Sequence, residues 1–227
     1  MPENDFSKTQ NIKNNPKITK AWALYDWANS VYSLVITSTI FPIYYSILTT
    51  ASEKSEYVEA TGQWIKVPVR HMITIFGKEY QPDAIYGYSL TISFLIVVLI
   101  SPFLSSLADT IGNKKSFLQF FCYLGATSCM GLAMFTGMQN VFLGLLFSIT
   151  ASVGFWGSLV FYNSFLPDIA TPDKQDALSA KGYVYGYLGS VVLVIICLVL
   201  IQVFAKDAEQ AKMYTRISFL LTGAWWF

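Results

Sequence analysis

Five apolar runs, each long enough to cross a bilayer, constrain this chain more than any other feature. They occupy residues 21–48, 85–107, 116–136, 141–165 and 182–205. A helix needs about 20 residues to span the hydrocarbon, whereas a barrel strand needs about 10. Hydrocarbon offers the backbone no hydrogen-bond partner, so each run must satisfy its own bonds as an α-helix. A further apolar run over residues 217–227 is about half the length of a crossing. The expected fold is an all-α integral membrane bundle with a truncated sixth helix, and the chain reads as a fragment.

The segments between the runs are polar. Residues 1–20 are rich in Asn, Lys and Thr and are expected to form a disordered tail. They do not introduce a signal peptide, because the run that follows is about twice a typical h-region and lacks a small-residue cleavage site. Residues 49–84 form a long loop in which 64–69 and 72–76 are β-branched and aromatic. A small hairpin is expected there, with Pro68 marking an edge strand. Pro167 and Pro172 are expected to stop a helix and shape the connection over 166–181. Residues 206–216 read as a charged connection.

Composition narrows the function. Charged residues make up 13% of the chain and the net charge is +1, against about 25% charge in a soluble domain. No basic face or tail stands out, which excludes nucleic acid as a partner. Cys122, Cys129 and Cys197 all lie inside apolar runs and read as small buried residues. The single histidine, His71, sits in a loop with no partner at metal-ligand spacing. No H-E-x-x-H, G-x-S-x-G or Walker loop occurs, so no enzyme, metal or cofactor is expected. Lys and Arg are shared almost evenly between the two sides and favour a cytoplasmic N-terminus only slightly.

Polar groups inside the runs are the candidates for function. Asp26, Asn29, Ser33 and Thr37 fall at i, i+3, i+7 and i+11, which is one face of an α-helix. A carboxylate there costs about 2–3 kcal/mol, so either it lies on a solute pathway or it snorkels to the interface beside Lys20. Trp22, Tyr25 and Trp27 suit an interfacial aromatic belt. In the fourth run Ser148, Ser152, Trp156 and Asn163 lie close to one face. Asn163 either hydrogen-bonds across helices or lines a cavity, and Asp168 follows at the helix end. In the fifth run Gly182 and Gly186 form a small-x-x-x-small packing pair, and Tyr183 and Tyr187 share a face.

Between the second and third runs stands S-S-L-A-D-T-I-G-N-K-K, residues 105–115. It resembles the inner loop between helices 2 and 3 of the major facilitator superfamily, G-x-L-A-D-R-x-G-R-K-K. Leu107, Ala108, Asp109, Gly112, Lys114 and Lys115 match. Ser105, Thr110 and Asn113 depart, and with two arginines lost the charge network of the loop is thinner. W-A-L-Y-D-W-A-N-S (22–30), F-Y-N-S-F-L-P-D-I-A (161–170) and S-A-K-G-Y-V-Y-G-Y-L-G (179–189) resemble one branch of that superfamily, the bacterial permeases related to the fungal vacuolar amino-acid effluxers of autophagy.

The resemblance implies the N-terminal six-helix half of a twelve-helix fold, cut within helix 6, with helices 1 and 4 lining a central cavity. It implies a cytoplasmic N-terminus in a multi-pass protein of a bacterial inner membrane. The implied activity is secondary transport of a small polar solute, such as an amino acid, by alternating access. The partners are then the solute, protons as coupling ion, the lipid bilayer and the C-terminal half. Asp109, Gly112, Lys114 and Lys115 would latch the halves at the inner face, and Asp26 would couple protons or gate. A non-transporting binding or scaffold protein on the same fold is the alternative.

Overall fold

Pro16 opens the first helix, α1 (Pro16–Asn29), at a position where a missing N–H costs nothing. Asn15 caps it, accepting a hydrogen bond from the Lys17 N–H. In the computed structural model the described residues are 13–58, 62–111 and 113–227, less the side chains of 107–109 and 111. Asn14 adopts φ +61° and donates its N–H to the Ile169 carbonyl at 2.7 Å. Its side chain bonds Thr171 Oγ1 at 3.0 Å and accepts from the Thr171 N–H at 3.2 Å. Residues 13–20 therefore belong to the bundle, which corrects the expected tail; residues 1–12 lie outside the described residues.

The first span does not stay an α-helix. Residues Tyr32–Ile40 form a π-helix, and α2 (Phe41–Thr49) completes the crossing. The cause is Pro42, which has no N–H to give and whose ring collides with the carbonyl one turn back. Upstream the ladder opens to i→i+5, and the Phe41 N–H bonds the Ile36 carbonyl. Hydroxyls follow the same step: Ser38 Oγ donates to the Ser33 carbonyl at 2.9 Å and Thr39 Oγ1 to the Leu34 carbonyl at 2.7 Å. A π segment has more residues per turn, so every side chain beyond it is rotated from the α-helical expectation.

The loop after the first span carries two separate hairpins. Strand β1 (Thr50–Val58) pairs antiparallel with β2 (Gln63–Arg70), and β3 (Ile73–Ile75) with β4 (Lys78–Tyr80). The expected strands at 64–69 and 72–76 thus pair with other segments and not with each other. Arg70 explains the division: its guanidinium turns back to the Ser46 carbonyl at 2.6 Å and lies 3.4 Å from Asp83. Pro68 sits at an outer position of a two-stranded ribbon, where its missing donor is tolerated.

The remaining helices are α3 (Pro82–Ile111), α4 (Lys114–Gly131), α5 (Val141–Ser164), the single turn α6 (Leu166–Ile169), α7 (Pro172–Val199) and α8 (Ala208–Trp226). Among the described residues, five helical stretches are long and apolar enough to cross a membrane, the first being Pro16–Thr49 and the last Pro172–Phe204. The connection expected over 166–181 is largely helical, because Pro172 starts α7 instead of ending a helix, with Asp173 in the favourable first turn. Likewise α8 begins within the expected 206–216 connection, where Asp207 accepts from the Gln210 N–H at 2.8 Å.

In the bundle α1 packs on α7, α3 on α5, and α4 on both α5 and α8. A Cβ on Gly154 would strike the backbone of Gly125, so α4 and α5 touch main chain to main chain. At one end Phe41, Tyr44, Tyr45, Phe135 and Phe219 form a buried aromatic cluster. Tyr44 donates to the Phe135 carbonyl at 2.9 Å and Tyr45 to the Pro82 carbonyl at 3.1 Å, which satisfies both phenols.

Candidate functional site

A cavity of about 620 Å³ lies between the first span, α3, α5 and α7. The first span contributes Asp26, Ser30, Ser33 and Ser38 to its wall. Helix α5 contributes Trp156, Tyr162 and Asn163, and α7 contributes Ser179, Tyr183, Tyr187 and Ser190. Tyr183 and Tyr187 remain 75% and 69% exposed, so this wall is open in the described chain.

Asp26 is 7% exposed and, among the described residues, is the one charged residue on the cavity wall. Its Oδ1 accepts from Ser30 Oγ at 2.7 Å. Among the described residues it makes no ion pair, so the snorkelling arrangement beside Lys20 does not form. Helix α7 reaches it through glycines. A Cβ on Gly186 would lie 2.5 Å from Ser30 Oγ and 3.1 Å from Asp26 Cγ, and one on Gly182 would lie 2.9 Å from the Tyr162 hydroxyl. Gly182 and Gly186 therefore face the first span, and Tyr183 and Tyr187 face the cavity.

Tyr162 is the residue that organises this end of the site. Its ring stacks on Trp22 with centroids 4.2 Å apart, and Trp22 Nε1 donates to the Tyr162 carbonyl at 3.0 Å. Trp22 is consequently 8% exposed, and the aromatic-belt expectation for it is corrected. Trp27 also turns inward, stacking on Trp225 at 5.8 Å, and Tyr25 donates to Asn29 Oδ1 at 3.3 Å.

Of the expected first-span face, Asp26 and Ser33 line the cavity and Asn29 and Thr37 do not. Asn29 is fully buried between helices, where Oδ1 also accepts from Ser158 Oγ at 3.2 Å. Thr37 is displaced by the π-helix, and Ser38 takes its place. Ser148 and Ser152 are buried, with Ser152 receiving a bond from Ser93 at 2.8 Å. Trp156 and Asn163 are on the wall, Trp156 against Phe94 at 5.4 Å. The residues missed were Ser30, Ser38, Tyr162, Ser179 and Ser190. Ser179, Tyr183, Tyr187 and Ser190 fall at i, i+4, i+8 and i+11, a helical stripe hidden by starting that helix too late.

Of the inner-loop motif, Lys114 and Lys115 do not line the cavity. Asp109 is in the last turn of α3, and Gly112 lies outside the described residues. Asn113 caps α4, accepting from Ser116 Oγ at 2.8 Å, so this departure from the motif serves helix initiation. Lys114 Nζ meets Asp168 Oδ2 at 3.1 Å, and Lys115 is exposed.

Long apolar helices around a cavity that holds a carboxylate, together with the relatives below, make this an integral multi-pass membrane protein of the major-facilitator type. More narrowly, residues 14–227 match the family described as vacuole effluxer Atg22 like, and the chain belongs to that family. It is 33% identical over 217 residues to the uncharacterised MFS-type transporter YxiO of Bacillus subtilis, covering 95% of this chain and 45% of YxiO. It is 28% identical over 173 residues to autophagy-related protein 22 of Coccidioides immitis, covering 68% of this chain and 28% of that protein. Autophagy-related protein 22-1 of Phaeosphaeria nodorum is 22% identical over 274 residues, covering 98% and 47%. The chain thus spans about half the length, or less, of these relatives. No solved structure matches it.

Proposed function

We propose that this chain forms one half of a secondary transporter that moves a small polar solute, such as an amino acid, by alternating access. The observation that carries the reading is the cavity, whose largely apolar wall carries the Asp26 carboxylate and several hydroxyls. A carboxylate set into a membrane bundle is costly, and access to a polar pathway offsets that cost. The open wall along Tyr183 and Tyr187 is where a second six-helix half closes the pathway. The N-terminus lies in the cytoplasm of a bacterium, and the loop containing Asp109, Gly112, Lys114 and Lys115 latches the halves at the inner face. Asp26 acts as the gate or takes up the coupling proton, released when Ser30 and the solute exchange places.

Reconstitution into proteoliposomes tests this. Exchange of a labelled solute across the membrane, with pH dependence lost in Asp26→Asn and exchange slowed in Asp109→Ala, is the expected result. Solute binding without any flux would reject transport in favour of a membrane-embedded binding protein. Unchanged exchange in Asp109→Ala would remove the latch alone.

A further inference from the structure

The short hairpin β3–β4 closes in a two-residue turn, Phe76-Gly77, since Ile75 pairs with Lys78. Phe76 adopts φ +50° and Gly77 φ +75°. Two successive left-handed residues give the turn whose twist suits a hairpin, and Asn, Asp or Gly normally fill it. A phenylalanine in the first of these places is opposed by its own β-carbon. Its side chain is also 102% exposed, more than any other large apolar side chain among the described residues. If water surrounded this tip, backbone sterics and hydration would both count against Phe76.

The place of the hairpin implies a different surrounding. The first span ends at Thr49 and the second begins at Pro82, and the bond from Tyr45 Oη to the Pro82 carbonyl ties those ends together. Between them the His71 N–H bonds the Thr49 carbonyl at 2.8 Å. Ile73 is buried, and Ile75 and Tyr80 pack on the main core. The hairpin is therefore held where the helices leave the hydrocarbon, on the side of the membrane opposite Pro16. Lys78, beside the tip, is exposed and makes no ion pair among the described residues. A ring and an ammonium two residues apart at this level match the two layers of a bilayer surface, acyl boundary and phosphate. The longer ribbon β1–β2 differs: it is exposed along most of its length, carries Glu53, Lys54, Glu56 and Lys66, and rests its exposed Trp64 ring on Tyr57 at 5.4 Å.

We propose that the β3–β4 tip is a lipid anchor: Phe76 inserts its ring among the upper acyl carbons of the bilayer, and Lys78 meets anionic headgroup phosphate. Removal of the ring from water offsets the left-handed backbone that presents it. The anchor holds the adjoining ends of the first and second spans at the membrane surface, because the rest of the hairpin is bonded to Thr49 and packed on the core. The assignment stands on the membrane class of the chain and is independent of transport and of any solute.

The test uses the protein reconstituted into vesicles of phosphatidylcholine and phosphatidylglycerol, with Phe76→Cys and Ser55→Cys each carrying a bimane label. Native Cys122, Cys129 and Cys197 are buried and stay unlabelled. Lipids brominated high on the acyl chain should quench the label at 76 roughly twofold, and iodide on both sides should quench it roughly threefold less than the label at 55. A second measurement leaves the cysteines native. Phe76→Asn supplies a residue the turn prefers, yet amide exchange over residues 73–80 should accelerate roughly threefold or more in the vesicles. Lys78→Ala should accelerate it less, and only where phosphatidylglycerol is present. Iodide quenching at 76 equal to that at 55 overturns the anchor, as does protection from both quenchers, which would put protein over the tip. Unchanged or slower exchange in Phe76→Asn also overturns it, and decides the matter should Phe76→Cys fail to assemble. A Lys78→Ala effect that ignores phosphatidylglycerol overturns the headgroup contact.

Discussion

Lys114, at the start of α4, holds its Nζ 3.1 Å from Asp168 Oδ2 in the single turn α6. The pair ties the loop between the second and third spans to the end of the fourth. The side chains are 24% and 54% exposed, which places the pair at the solvent edge.

An exposed ion pair of this kind contributes at most about 1 kcal/mol. Lys114→Glu or Asp168→Lys alone should therefore lower thermal stability slightly and slow solute exchange more clearly. The double swap should recover much of the exchange rate. Counterflow measured in all three variants checks this, and a double swap as slow as the worse single change would rule out a direct pairing role.

Pro42 should control which first-span side chains face the cavity. With the native proline, Ser38→Cys should react with a hydrophilic maleimide roughly fivefold or more faster than Thr37→Cys. In a Pro42→Ala background the i→i+4 ladder can close, and the ratio should fall or invert. Native Cys122, Cys129 and Cys197 are buried, so background labelling is low. An unchanged ratio would show that the π segment does not depend on Pro42.

Gly186 and Gly87 make a matched contrast. A Cβ at Gly186 meets Ser30 Oγ at 2.5 Å, whereas one at Gly87 meets nothing within 4 Å. Gly186→Val should destabilise the protein by about 1–3 kcal/mol through overpacking. Gly87→Ala should leave stability unchanged or raise it by about 0.5–1 kcal/mol. Melting curves in detergent read both, and equal effects at the two sites would contradict the close approach of α7 to the first span.

Asn14 should hold the start of the first helix on the α6–α7 connection. Removing its side chain in Asn14→Ala deletes the bonds to Thr171, a loss of about 1 kcal/mol. Amide hydrogen exchange over residues 13–20 should accelerate while that of α4 stays unchanged. Exchange rates that stay the same in both regions would mean that the Trp22–Tyr162 stack alone fixes this end.

The membrane class and five long helices were legible in the sequence, since apolar length and the cost of unpaired backbone in hydrocarbon are local properties. Asp26, Ser33, Trp156, Asn163, Tyr183 and Tyr187 were legible as polar residues in apolar runs. Tertiary structure decided the rest. Asn29 looked equivalent to Asp26 by spacing, yet it is buried against Ser158 because neighbouring helices determine which part of a polar face meets solvent. Thr37 gave way to Ser38 because Pro42 turns an α ladder into a π ladder, a change no fixed periodicity anticipates. Trp22 faces Tyr162 and not lipid because α5 ends beside the start of α1, a proximity absent from the order of residues. The same packing brings Tyr162 Oη and Asp26 Oδ2, far apart in the chain, to one notch beside Gly182.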